Sequence, residues 1–117
     1  MALRIKRIYE PPSPDDGCRI LVDRLWPRGL KKGDAQVDLW LREVAPSAEL
    51  RRWFGHDPAK WEEFTQRYSR ELAQSPEALQ PLLQEVGQGK TVTLLFAARD
   101  TVHNNAAALK AYLDARP

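Results

Sequence analysis

The stretch "TVTLLFAARD", residues 91 to 100, is a near-continuous apolar run from Val92 to Ala98. A strand of this kind has no polar side to offer to water, so it must be covered on both faces, as strands of parallel sheets are. It predicts the central strand of such a sheet. The remaining residues must then supply partner strands beside it and helices above and below it.

Two earlier segments read as partners. "LRIKRIY", Leu3 to Tyr9, alternates apolar and basic residues, which suits a half-exposed strand near a sheet edge where lysine and arginine discourage unwanted pairing. "EPPSPDDG" follows as a loop, because its prolines fix φ and remove backbone donors. "CRILVDRLW" returns to strand character through Ile20, Leu21 and Val22, and "PRGLKKGD" then punctuates it with Pro27, Gly29 and Gly33.

From Asp34 to about Gln88 the apolar period changes from two to 3.6. A first helix is predicted to carry Val37, Trp40, Leu41 and Val44 on one face and to end at Pro46. A second, capped by Ser47, carries Leu50, Trp53 and Phe54 and stops at Gly55. A third begins with Asp57 as N-cap and Pro58 as its first residue, and presents Trp61, Phe64, Tyr68 and Leu72. The fourth repeats the device with Ser75 and Pro76, buries Leu79, Leu82, Leu83 and Val86, and closes at Gly87, with Pro81 as a place for a kink. The alanine-rich end, "TVHNNAAALKAYLDARP", is predicted as a last helix capped by Asp100 or Thr101, with Leu109 and Leu113 facing the core. The fold class is therefore α/β: a small, mostly parallel sheet of about three strands flanked by helices, with a helical segment between strands two and three. A length of 117 residues suits one domain, residues 1–117. The direction of the first strand stays open.

Charge and cysteine usage narrow the function. A net charge of +2, from 18 basic and 16 acidic residues, is too near balance for a generic nucleic-acid or anionic-membrane binder, so any electrostatic role must come from local clustering. Cys18 is the only cysteine, which excludes an intramolecular disulfide and a thiolate metal site and fits a reducing cytosol. "MALRIKRIYE" lacks the apolar segment of a signal peptide, and no run of about 18 apolar residues could span a bilayer. A cytoplasmic protein without a membrane partner is expected; its oligomeric state is left open.

In open parallel sheets, ligands bind beyond the carboxyl ends of the strands. "DRLWPRGLKK" follows the second strand and "ARDTVHNN" the third. If those strands lie side by side, Asp23, Arg24, Trp26, Arg28, Lys31, Lys32, Arg99, Asp100, His103, Asn104 and Asn105 gather at one edge. Arg28 can grip a carboxylate or phosphate bidentately from a loop that Gly29 makes pliant, or it can belong to a solvated basic turn. Asp23 is a candidate general base, or the partner of Arg24 or Arg99. Asp100 reads first as a helix cap. His103, placed in the first helical turn, would feel the positive end of the helix dipole and favour neutral imidazole, able to relay protons with Asp23. Asn104 and Asn105 are poor helix formers and need polar partners. Of the four tryptophans only Trp26, on the loop, is a candidate for stacking on a ligand; Trp40, Trp53 and Trp61 sit on apolar stripes. "WFGHDPAKW" offers a second wall: His56 beside Asp57 reads as structural, because adjacent residues seldom face each other, unless its loop folds toward the strand ends. Two histidines and one cysteine make no conventional zinc site, nothing demands Mg²⁺ at Asp23 and Asp100, and no cofactor motif is present.

"LVDRLWPRGL", "DLWLREVAPSAELRRWFGHDPAKWEEFTQRY" and "LLFAARDTVHNNAAALKAYL", in that order, carry a resemblance. From about Arg4 to Leu113 the chain resembles the YeaO-like proteins, a bacterial branch of a larger domain family of unknown function. Members of that wider set have an "LVDVR" strand followed by proline and basic residues, and a late strand ending before a "CHR" triplet. Here "LVDRLWPRG" and "HNN" stand at those places. The resemblance carries over Asp23, Arg28 and His103; the cysteine is absent and the arginine replaced, so it does not imply thiol chemistry. The expected role is binding of a small anionic or phosphorylated ligand by Arg28, Arg99 and the last helix's N-terminus, with Asp23 and His103 handling protons. The alternatives are a nucleic-acid accessory module, using Arg24, Trp26, Arg28, Lys31 and Lys32, or a protein-interaction domain without catalysis.

Overall fold

The structure is a computed structural model that describes residues 2–115. Four strands, β1 (Ala2–Arg7), β2 (Cys18–Leu21), β3 (Leu39–Trp40) and β4 (Thr91–Phe96), form one sheet in the order β1-β4-β2-β3, and all pairs are parallel. β4 takes the interior position its composition demands. It pairs with β1 from Ala2↔Thr91 to Arg7↔Phe96, and with β2 from Cys18↔Val92 to Leu21↔Leu95.

The direction of β1, open from sequence, is thus parallel to β4. The connection back to β2 needs no helix, because residues 8–17 run across one face of the sheet, tightened by a 3-10 turn (Pro14–Asp16). Thr93 Oγ1 on β4 donates to the Asp16 carbonyl at 2.7 Å, which pins this connector down. Gly17 leaves it with φ of +64°, and a Cβ there would sit 2.2 Å from the Thr91 carbonyl oxygen, so no other residue fits. Beneath the turn, buried Asp16 accepts from Arg19 Nη1 at 2.6 Å and from Lys6 Nζ at 3.0 Å. Burial alone would raise its carboxyl; the Ser13 amide, Lys6 and Arg19 outweigh it and hold the group below the usual carboxylate range.

The helix expected from Asp34 to Pro46 is the main correction. In its place stand one helical turn, α1 (Lys32–Ala35), the strand β3, and a 3-10 turn (Arg42–Val44). Gln36 adopts a left-handed conformation with φ of 49° and ends α1. The chain beyond it is extended, and the apolar residues divide between the two sides of the sheet. Leu39, Leu41 and Val44 pack into one core cluster and Val37 and Trp40 into the other. A spacing that suits one helical stripe also suits a short strand between two cores.

Of the other helices, α2 and α4 start where expected, while the third and last begin later in the chain than their expected caps. In α2 (Ala48–Phe54), Ser47 Oγ accepts from the Leu50 amide at 3.1 Å, and Gly55 closes the helix in a left-handed conformation. Asp57 caps a 3-10 turn (Pro58–Lys60) that leads into α3 (Trp61–Gln74). In α4 (Pro76–Val86) the helix continues through Pro81 without interruption. In α5 (Asn105–Asp114), the N-cap is Asn104, whose side chain accepts from the Ala107 amide at 2.8 Å, instead of Asp100 or Thr101.

These helices cover one face of the sheet, where Ile20, Val22, Leu94 and Phe96 meet Phe54, Phe64, Tyr68, Leu82 and Leu109. The opposite face, with Leu21 and Leu95, is covered by Ile8, Ala35, Trp26 and Trp40. No helix among the described residues is long and apolar enough to cross a membrane.

Candidate functional site

Because β2 and β4 are neighbours and parallel, their carboxyl ends deliver residues 22–24 and 97–100 to the same edge. One bond joins the two segments: Asp23 Oδ2 accepts from the Ala97 backbone N–H at 2.9 Å. Asn105 Nδ2, in the first turn of α5, donates to the Val22 carbonyl at 2.8 Å and also reaches the Asp23 carboxylate. The Trp40 indole N–H donates to the Asp23 carbonyl at 2.8 Å and ties the end of β3 to the same point.

Asp23 sits in unfavourable surroundings for a charge. Burial raises its carboxyl above the ordinary carboxylate range, while the Ala97 amide, the Asn105 side chain and the charges of Arg51 and His56 pull the other way. Of these two, the sequence does not point to Arg51, and points to His56 only on condition that its loop folds toward the strand ends. Arg51 lies in the last turn of α2, and His56 follows Gly55, both residues having positive φ, of 54° for Gly55 and 58° for His56. A non-glycine residue in that region signals a chain bent for a reason. The WFGH segment held the signal, in a glycine stop followed directly by an ionisable residue.

The second segment folds into its own small device. Asp100 Oδ1 accepts from the Val102 and His103 amides, each at 2.9 Å, and its Oδ2 lies 2.9 Å from His103 Nδ1. The amides of His103 and Val102, with the His103 ring, lower the Asp100 carboxyl to about 2. That carboxylate engages the Nδ1 side of the His103 ring and leaves Nε2 outside this contact. The Trp61 ring meets the His103 ring edge-on, with centroids 5.3 Å apart, and fixes its plane. Since α5 begins only at Asn105, His103 precedes the helix, and the expected dipole effect in a first helical turn does not apply. Both asparagines find the polar partners their position requires. Asn104 caps α5 and donates to the Asp100 carbonyl at 3.0 Å; Asn105 bridges to β2.

The remaining candidates spread along the edge. Arg28 and Gly29 lie in an exposed turn, with the Arg28 carbonyl accepting from Tyr9 Oη at 2.9 Å, and Arg99 is exposed. Trp26 is committed to packing: its indole N–H donates to the Leu30 carbonyl at 2.7 Å and its ring meets Trp40 edge-on at 5.5 Å. Lys32 reaches over the Trp26 ring, 6.0 Å from its centroid. Arg24 turns toward the 43–47 segment, where Nη2 donates to the Ala45 carbonyl at 3.3 Å. Among the described residues, no group of three or more His, Cys, Asp and Glu side chains is arranged to hold a metal ion.

Comparison with known proteins covers almost the entire chain. The family model described as the inactive DUF488-N3 subclade matches residues 2–116. An uncharacterised protein of Mycobacterium tuberculosis strain H37Rv is 44% identical over 114 residues, spanning 97% of this chain and 95% of its own. The uncharacterised protein YeaO of Escherichia coli K12 is 42% identical over 113 residues, covering 97% of each. No solved structure matches.

Proposed function

The chain belongs to the inactive DUF488-N3 subclade and is YeaO-like, and from that premise we propose that it binds a small phosphorylated or otherwise anionic ligand at the strand ends without turning it over. The observation that carries this reading is the Asp23–Ala97 bond, which holds a carboxylate at the join of two strand-end segments despite the burial that opposes its charge. A group kept there against its solvation preference marks a functional position. Asp23 is the acceptor for a ligand hydroxyl, and Arg51 and His56 supply charge beside it. Arg28 and Arg99, exposed on the flanking loops, extend the positive surface to the ligand's phosphate or carboxylate. His103, oriented by Asp100, presents its Nε2 to the same ligand.

The family's description as inactive supports binding over turnover. The nucleic-acid reading draws less support, because the Trp26 ring is engaged by Trp40 and Lys32. A thermal-shift screen of phosphorylated and carboxylated small molecules tests the proposal. At least one such compound should raise the melting temperature of the native protein and lose that effect in Arg51→Ala. A screen in which no anionic compound stabilises the native protein would count against it.

A further inference from the structure

A cavity of about 320 Å³ lies between the 43–47 segment, the C-terminal half of α3 and the start of α4. Its polar wall holds Arg24, Glu43, Glu71 and Ser75, and its apolar wall includes Val44, Leu72 and Ala78. Most of its hydrogen-bonding groups are already used: Tyr68 Oη donates to the Val44 carbonyl, and Glu71 accepts from the Ser47 amide at 2.9 Å and from Ser47 Oγ at 2.6 Å.

Arg24 is different. Its Nη2 donates to the Ala45 carbonyl, and its Nε is buried with no hydrogen-bond partner among the described residues. Ser75, the N-cap of α4, likewise makes no side-chain cap bond. A part-buried guanidinium with an unpartnered Nε is costly unless an acceptor reaches it, and a carboxylate matches its fork best. A plain carboxylate would nevertheless meet Glu43 and Glu71 on the same wall. A ligand carrying an ammonium as well turns that repulsion into attraction.

We propose that this cavity is a binding site for a free α-amino acid with a small aliphatic side chain. Its carboxylate lies on Arg24 with Ser75 beside it, its ammonium faces Glu43 and Glu71, and its side chain rests on Val44, Leu72 and Ala78. The site shares no residue with the Asp23, Arg51 and His56 group, and the two ligands occupy different places.

The test is an amide NMR titration of the full chain with alanine, valine and leucine, set beside propylamine and propionate. Saturable shifts at Ala45, Ser47 and Ser75, produced by at least one amino acid and by neither half-molecule, are expected. Arg24→Lys, which keeps the charge and removes the fork, should weaken binding about tenfold. Ala78→Leu, which fills the apolar end and leaves Arg24 untouched, should reduce binding of leucine more than of alanine. Absence of saturable shifts with all three amino acids would overturn the proposal, as would equal binding of propionate. Shifts confined to Ala97 and Asn105 would place the amino acid at the other site and also overturn it.

Discussion

The Asp23 carboxylate accepts the Ala97 N–H at 2.9 Å, joining the end of β2 to the end of β4. The bond sits where the sheet delivers its loops, and burial raises the acid's pKa there. The Ala97 amide pulls that value down without offsetting the burial.

Replacing Asp23 with Asn should therefore stabilise the protein at high pH. A raised folded-state pKa makes a contribution to stability that is fully present below the unfolded value of about 3.8 and is lost as pH rises through the folded value. Wild type should accordingly fall behind Asp23→Asn most at pH 8, and the gap should close toward pH 3.5. Urea unfolding across that range measures it. A variant less stable than wild type at pH 8 would refute the account of the site's electrostatics.

Asp100 behaves in the opposite sense. Its carboxyl is lowered to about 2, so its contribution is present above the unfolded value and is lost as pH falls from about 4 through 2. Asp100→Ala should remove that acid dependence and speed hydrogen exchange at the Val102 and His103 amides, which it caps. Unchanged exchange at both amides would show that the turn holds without it.

Arg19 is buried and shares Asp16 with Lys6. Arg19→Leu would leave Asp16 with the partly exposed lysine and the Ser13 amide and cost about 3 kcal/mol, the range seen when one partner of a buried pair is removed. Denaturant midpoints read this directly. A loss below about 1 kcal/mol would mean that Lys6 and the Ser13 amide together satisfy the acid.

Tyr68 donates its hydroxyl to the Val44 carbonyl from a fully buried position, and burial raises its pKa. Tyr68→Phe should cost about 1 to 2 kcal/mol, because the Val44 carbonyl loses its donor inside the core. The midpoint of urea unfolding gives the value, and a neutral substitution would contradict the assigned bond.

Much of this arrangement is legible in the chain before it folds. The apolar run ending at Ala98 requires an interior parallel strand, and Ser47, Gly55, Asp57, Ser75 and Pro76 mark helix ends by their own backbone chemistry. The stretch from Val37 to Val44 misleads, because its spacing satisfies a helix and a short strand between two cores equally well. Sheet adjacency decides between them, and that is a long-range property. At the site, Asp23 and Asn105 could be anticipated from their place after strands. Arg51 could not, since its place on a helix does not tell which strand end the helix meets, and His56 could only on condition that its loop folds toward the strand ends.

The most direct test of the strand-end site is an amide NMR titration with ribose 5-phosphate, which carries both hydroxyls for Asp23 and a phosphate for the arginines, with ribose and inorganic phosphate as comparisons. The account predicts saturable shifts at Ala97, Asn105 and His56 with the sugar phosphate, weaker effects from either half alone, and loss of binding in Arg51→Ala and Asp23→Ala. No saturable shift at those amides, or binding that both variants leave unchanged, would contradict it.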